Sequence, residues 1–410
     1  MAGRAGSENF IDWFSSIWSW FPGTGDSGTY TVSFASARNR TGKALRGTAE
    51  CTMTVPKWRA PFGDALPSQL DGAEQVLLDW DGNGYLGHSG VSLVRITPAG
   101  GAPAGAVEVW RNRLEASWWQ DGSALNGEPF LAASQLRSSR DRATWIELQP
   151  DGGGRVRSAS ISWHDNQLQP AENVLTFPAT AGPVELAASG LAWSQPGTTG
   201  ASTLFVAVGF WLSDWVIVPA NVDPLADASQ GWYHPQGYVT FIETPSGAVG
   251  QLRVRRLTGT IPAGWDSLGD ALNRDLLKEP SHPSVGLAHL QGTMVPVVTW
   301  VEGGQVLART WSEPGGWTSA RMLNTDPGAT ARSPRAFEDL FGGSHVLFIE
   351  RGVNGDRIEF RSFDGATWSV DDPLDPLGDV SEVSTADFSN QTAVLWRSPA
   401  GTARLRVTNW

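Results

Sequence analysis

The stretch that decides the fold is TWIELQPDGGGRVRSASIS, residues Thr144–Ser162. A short apolar run ends in Trp145 and Glu147, a Gly-rich turn follows, and a second run carries Arg, which is the pattern of a strand, a tight turn and a strand. The pattern returns as TFIETPSGAVGQLRVRRL from Thr240, TWVEGGQVLARTW from Thr299, LFIERGVNGDRIEFRSF from Leu347 and LWRSPAGTARLRVTNW from Leu395. Its aromatic anchors, Trp145, Phe241, Trp300, Phe348 and Trp396, are separated by 96, 59, 48 and 48 residues. The first gap is two periods, so an anchor is due near position 193, and Trp193 stands there in LAWSQPGTTGASTLFVAV. One period before Trp145, VSLVRITPAGG carries a weaker version around Arg95.

Seven units therefore fill residues 72–410, each with room for about four short strands; the sixth reads SPRAF, HVLFIE, DRIEFRSF and ATWSV. Four-stranded units of this length, repeated in tandem, are the signature of propeller blades. Trp and Phe supply the bulk between splayed sheets. The expected fold is an all-β, seven-bladed β-propeller. Its last unit stops at Trp410 after a third strand, and an open edge is a liability. One of the strands in residues 29–71, TYTVSFASA from Thr29 or AECTMTV from Ala49, is expected to complete that blade. The 59-residue step predicts an insertion around Trp265 to Lys278.

Bulk properties narrow the function. The net charge of −12 and the absence of a Lys/Arg stripe argue against nucleic acid as partner. The single cysteine, Cys51, excludes an intrachain disulfide and a cysteine-based zinc site. No run of 18 apolar residues predicts a transmembrane helix, and no secretory signal is recognisable, so the expected location is cytoplasmic, or outside the cell by another route.

Residues 1–28 differ in kind. ENFIDWFSSIWSWFPG sets Phe10, Trp13, Phe14, Ile17, Trp18 and Phe21 at helical spacing before Pro22 and Gly23 stop the helix. This amphipathic segment can cover the propeller, dock residues 9–21 on a partner or larger assembly, or lie at a membrane interface. In DWDGNGYLG, Asp79, Asp81 and Asn83 precede Gly84 in the manner of a calcium loop. Gly87 and Gly90 stand where such loops place carboxylates, so Ca²⁺ binding there is expected to be weak, and a hairpin turn is the other reading.

Glu147, Glu243, Glu302 and Glu350 fall at equivalent repeat positions, with Arg157, Arg255, Arg309, Arg361 and Arg406 on the following strands. They read either as cross-strand ion pairs or as hydrogen-bonding groups for sugar hydroxyls beside a Trp platform. SFDGATWS (Ser362–Ser369) and TWSEPGGW (Thr310–Trp317) resemble the strand-turn-Trp element of fucose-binding-type propeller lectins. That resemblance implies sugar sites between blades, built here from Glu302, Arg309, Trp311 and Trp317, and from Glu350, Arg361 and Trp368. SFDGATW is also similar to the Asp-box of sialidase-type propellers, a structural turn. No nucleophile elbow, P-loop or GxGxxG accompanies it. Three functions stay open: a recognition module for glycans or a protein partner, a sialidase-like glycoside hydrolase, and a structural component docked through the N-terminal helix.

Overall fold

The computed structural model describes residues 28–33, 50–55, 58–59 and most of 66–408; within that span it leaves out 82–89, 101–102, 114–117, 140–141, 161–169, 209–214, 259–263, 339–342, 370–373, 375–379, 389–390 and the single positions 123, 128, 198, 291, 354 and 401. The chain is a seven-bladed β-propeller of antiparallel sheets. Blade 1 is Glu74–Asp81, Gly90–Ile96, Val107–Arg113 and Trp119–Asp121; blade 2 runs from Ala133 to Phe177, blade 3 from Glu185 to Pro219, blade 4 from Asp227 to Ser267. Blade 5 begins with an unusually long hairpin, Pro280–Leu290 and Thr293–Glu302. Blade 6 holds Thr330–Glu338, Ser344–Gly352 and Gly355–Phe363, with its outer segment joined only by bridges from Trp368 to Phe363 and from Leu374 to Ile358. Blade 7 holds Glu382–Phe388, Gln391–Arg397 and Ala403–Thr408. First strands lie side by side around an axis, that of blade 1 packing against those of blades 2 and 7.

Residues 61–405 form one compact unit; residues 1–60 with 406–410 form another. In the latter, Gly28–Ser33 and Glu50–Val55 pair with each other, and it is Trp58 and Arg59 that pair with Thr408 and Val407. Phe10, Trp13, Phe14, Ile17, Trp18 and Phe21 lie outside the described residues. The insertion expected at Trp265 to Lys278 lies there in part: after the fourth strand of blade 4 the crossover to blade 5 fills 268–279, longer than 220–226 into blade 4 or 323–329 into blade 6. Among the described residues no helix is long and apolar enough to cross a membrane.

The aromatic ladder is the core. Trp145, Trp193, Phe241, Trp300 and Phe348 are all at most 1% exposed. Each sits on a second strand and packs against the preceding blade; Trp300, for example, meets Leu252, Val254 and Leu268 of blade 4.

Polar groups then weld successive blades. The carboxylates of Glu147, Glu243, Glu302 and Glu350 are 0–5% exposed. Glu302 accepts the main-chain N–H groups of Arg274 (2.9 Å) and Asp275 (2.8 Å) and the indole N–H of Trp300 (3.0 Å). Glu350 accepts those of Thr325 and Asp326, both at 2.9 Å, and Glu243 those of Val222 and Asp223. Glu147 takes Gly127 N–H, the Trp145 indole and Arg155. In every case the amides belong to the crossover arriving from the preceding blade. That crossover is pinned from the other side by an asparagine: Asn126, Asn221, Asn273 and Asn324 each accept a third-strand N–H of the blade being left, at 2.7–2.8 Å. The four lie in LNGE, ANVD, LNRD and LNTD, beginning at Leu125, Ala220, Leu272 and Leu323.

Blade 1 inverts the charge. Arg95 stands at the carboxylate position, opposite Glu108, which it meets at 2.6 Å, and it donates to the main-chain oxygen of Gln69 in the arriving crossover. A cation serves carbonyls there as an anion serves amides elsewhere. At the junction of blades 6 and 7, Asp356 takes Arg332 (2.6 Å) and the N–H of Val380 (3.0 Å). Burial raises the Asp356 carboxyl, but the Arg332 hydrogen bond, the Val380 amide and the charges of Arg332 and Arg351 overcome it and hold the group below its ordinary 3.8.

Removing a buried carboxylate orphans its donors, so Glu147→Ala is expected to lower unfolding free energy in urea by about 3–5 kcal/mol. Because the folded-state pKa of Asp356 is depressed, its contribution is complete above 3.8 and disappears as pH falls through the folded value. The stability gap between the native chain and Asp356→Asn should therefore shrink on acidification from about pH 5 to pH 2; a gap constant with pH refutes this.

Candidate interblade ligand site

The third strands present arginine to the preceding blade at one register position. Arg255 lies opposite Val239, Arg309 opposite Val298 and Arg361 opposite Val346, each two residues before its aromatic anchor. The repeat glutamates do not use these arginines. Glu147 pairs with Arg155 at 2.6 Å and Glu350 with Arg357 at 3.3 Å, because those are the residues directly across the hairpin. Arg157 is opposite Trp145 instead and donates to the oxygen of Ala171.

What the three equivalent arginines meet differs. Arg255 donates to the main-chain oxygens of Ala220 (2.9 Å), Asn221 (2.8 Å) and Trp265 (2.7 Å). Arg361, 2% exposed, donates to Leu323 O (3.0 Å) and Phe360 O (2.7 Å), to Glu359 and to Thr325. Arg309 makes no hydrogen bond among the described residues, and its Nε is buried. The outer strand beside it also differs from that of blade 4. Blade 4 pairs Arg255 through Thr258 continuously with Ser267 back to Gly264. In blade 5 that strand is broken in two: Trp317 and Gly316 pair with Trp311 and Ser312, and Met322 and Arg321 with Leu307 and Ala308. The break falls at Arg309. Burial lowers the pKa of its guanidinium, and the charge of Glu302 opposes that.

Around this gap lie the aromatic residues expected from the sequence. Leu307, Arg309 and Trp311 alternate along the same strand face. Trp311 meets Trp317 edge to face, with ring centroids 5.2 Å apart and planes at 69°. The Trp317 indole donates to Leu268 O of blade 4, whereas the buried Nε1 of Trp311 has no partner among the described residues. Tyr238 packs into the same cluster, and Arg256 and Glu313 pair at 3.3 Å in solvent beside it.

The structure thus brings Arg309, Trp311 and Trp317 together between blades 4 and 5. Glu302 is sealed beneath by its crossover amides. Glu350 and Arg361 are buried between blades 5 and 6. Trp368 packs against Phe363 with ring centroids 4.9 Å apart and planes tilted by 31°, and Asp364 closes its own turn by accepting from the N–H groups of Ala366 and Thr367. Asp79 and Asp81 are described by their backbone alone, at the end of the first strand of blade 1, and Asn83 lies outside the described residues. Among the described residues no group of three or more His, Cys, Asp or Glu is placed to hold a metal.

A second feature escaped the sequence reading. Gln135, Gln230, His282 and Ser333 adopt left-handed φ of +50° to +55° at bulges in four first strands. The strain is used to tie blades together: Gln230 accepts His282 N–H at 2.7 Å, and Gln135 accepts Leu186 N–H at 2.8 Å. Over the small residues Ser284 and Gly286 of blade 5, blades 4 and 6 meet directly, through Arg335 above the Trp232 ring (4.5 Å) and His234 with Glu338 (3.0 Å).

The sequence matches no protein-family model and no curated protein. Among solved structures, the chain is similar to a Penicillium chrysogenum α-L-arabinanase complexed with arabinobiose, at 9% identity and a TM-score of 0.46 over 84% of this chain and 96% of that one. It is similar to a mutant Aleuria aurantia lectin in complex with α-methyl-L-fucoside at 7% identity, TM-score 0.40, over 84% and 92%. A Hadza microbial sialidase gives 12% identity and a TM-score of 0.45 over 75% and 74%. At these identities the likeness is one of fold alone.

The unequal partners of equivalent arginines predict unequal stability effects. Arg361→Ala, which strips Leu323 O of its donor and leaves buried Glu359 with Arg357 and Thr325 alone, should destabilise by more than about 2 kcal/mol. Arg309→Ala should change the urea-unfolding free energy by less than about 1 kcal/mol; equal losses would show that both arginines carry the same structural role.

Proposed function

We propose that this propeller is a recognition module that binds a glycan in the cleft between blades 4 and 5. The observation that carries the reading is Arg309, a half-buried guanidinium without a hydrogen-bond partner among the described residues, at a break in the outer strand beside the Trp311–Trp317 pair. An aromatic wall offers an apolar face for a sugar ring, and a planar fork of N–H donors supplies orientation. Sites of this type combine apolar surface with a few convergent polar groups. The repeat carboxylates support binding over hydrolysis, since each of the four is sealed and filled by main-chain or indole donors and is not available to move a proton.

A glycan array probed with the native chain, Arg309→Ala and Trp311→Ala tests it. Binding to at least one glycan is expected, with a loss of tenfold or more in each variant. No binding by the native chain, or variants that bind equally well, rejects the glycan reading.

A further inference from the structure

We infer that the group recognised at Arg309 is a sugar carboxylate, so that the ligand is an acidic glycan of the uronate or sialate type; this rests on the reading of the cleft as a glycan site. Among the described residues, Arg309 Nε and Trp311 Nε1 on this strand face are buried donors without a partner. The equivalent arginines show what is missing. Arg255 Nε is empty as well, but the terminal nitrogens of Arg255, and Arg361 through its Nε and a terminal nitrogen, reach carbonyl oxygens, groups that accept and do not donate, whereas no nitrogen of Arg309 has a partner among the described residues.

A neutral sugar brings hydroxyls, and every hydroxyl that accepts from Arg309 also carries a proton needing an acceptor. The nearby acceptors are already engaged. Glu302 accepts from Arg274, Asp275 and Trp300, and Glu313 faces Arg256 at the rim. A carboxylate brings two acceptor oxygens and no donor, matches the guanidinium fork in its plane, and gives a desolvated cation its counter-charge. The orphaned indole is two residues along the same strand face, within reach of a second oxygen of the same sugar. With a net charge of −12 the whole protein does not draw anions from a distance, so the preference arises at short range, from this one fork.

Calorimetric titration with oligogalacturonate and sialyllactose, each against its methyl ester, separates charge from sugar shape. The acids are expected to bind the native chain at least tenfold more tightly than the esters. Arg309→Lys, which keeps the charge and loses the fork, should retain part of that preference, and Arg309→Gln should abolish it. Acid and ester binding alike, both weakened by Arg309→Ala, would overturn the carboxylate while leaving the glycan site standing. No binding of either acid, while neutral glycans on the array bind in an Arg309-dependent way, also overturns it. Loss of Arg309 dependence for every glycan removes the site itself. Thermal unfolding of each variant, unchanged within a few degrees, confirms that the losses are of binding and not of fold.

Discussion

A carboxylate taken fully out of water costs several kcal/mol unless donors fill its lone pairs, and this condition governs how the blades meet. In blades 2, 4, 5 and 6 the second strand carries a glutamate that takes main-chain amides of the arriving crossover beside donors of its own blade. The asparagine in the same crossover takes an amide of the blade it leaves. An asparagine and the main-chain amides just after it thus bind one segment to two sheets. The hydrophobic wedge of Trp145, Trp193, Phe241, Trp300 and Phe348 supplies most of the attraction between blades, but it is non-directional. The buried polar pair sets the distance and rotation at which that attraction is collected.

The cleft between blades 4 and 5 is a place where this general solution is locally suspended. The arginine that elsewhere closes onto carbonyls is still present, yet the outer strand has parted around it. The parting follows from Glu313 to Trp317, a Gly-rich turn that folds Trp317 back on Trp311 and delays the rest of the strand until Arg321. The turn leaves the strand face beside Arg309 without a paired outer strand. Function placed on an outer strand costs the fold little, because outer strands contribute least to the interblade core.

The fold was legible because its strongest signal is spacing. Large aromatics recur at 48 residues, and a closed stack of sheets needs bulk at equal intervals. The cleft was legible in part: Arg309, Trp311 and Trp317 stood out, but so did Glu302, Glu350, Arg361 and Trp368, which follow the same pattern and are buried or packed. Nothing in the strand sequence separates Arg309 from Arg361; the difference lies in Arg361 reaching Leu323 and Thr325 of the arriving crossover, which Arg309 does not do with its own crossover. Pairing was obscured for a related reason. The repeat pattern sets Arg157 against Glu147, whereas hairpin length places Arg155 opposite. The asparagine crossovers were readable, since LNGE, ANVD, LNRD and LNTD repeat openly, but a search led by aromatic residues passes over them. The left-handed residues Gln135, Gln230, His282 and Ser333 could not be read, because their conformation is imposed by neighbouring first strands.

The inverted pair of blade 1 has a consequence for assembly. A tandem array of near-equivalent sheets can in principle shut with a member skipped or exchanged with a second chain, since each sheet offers its neighbour much the same greasy face. Arg95 and Glu108 make one junction chemically unlike the others. A crossover built to offer amides finds a cation there, and the crossover containing Gln69, which offers a carbonyl, finds an anion at the seats of blades 2, 4, 5 and 6. The mismatch leaves buried groups of like polarity facing each other. One reversed charge pair therefore works as a key, marking which sheet must begin the circle.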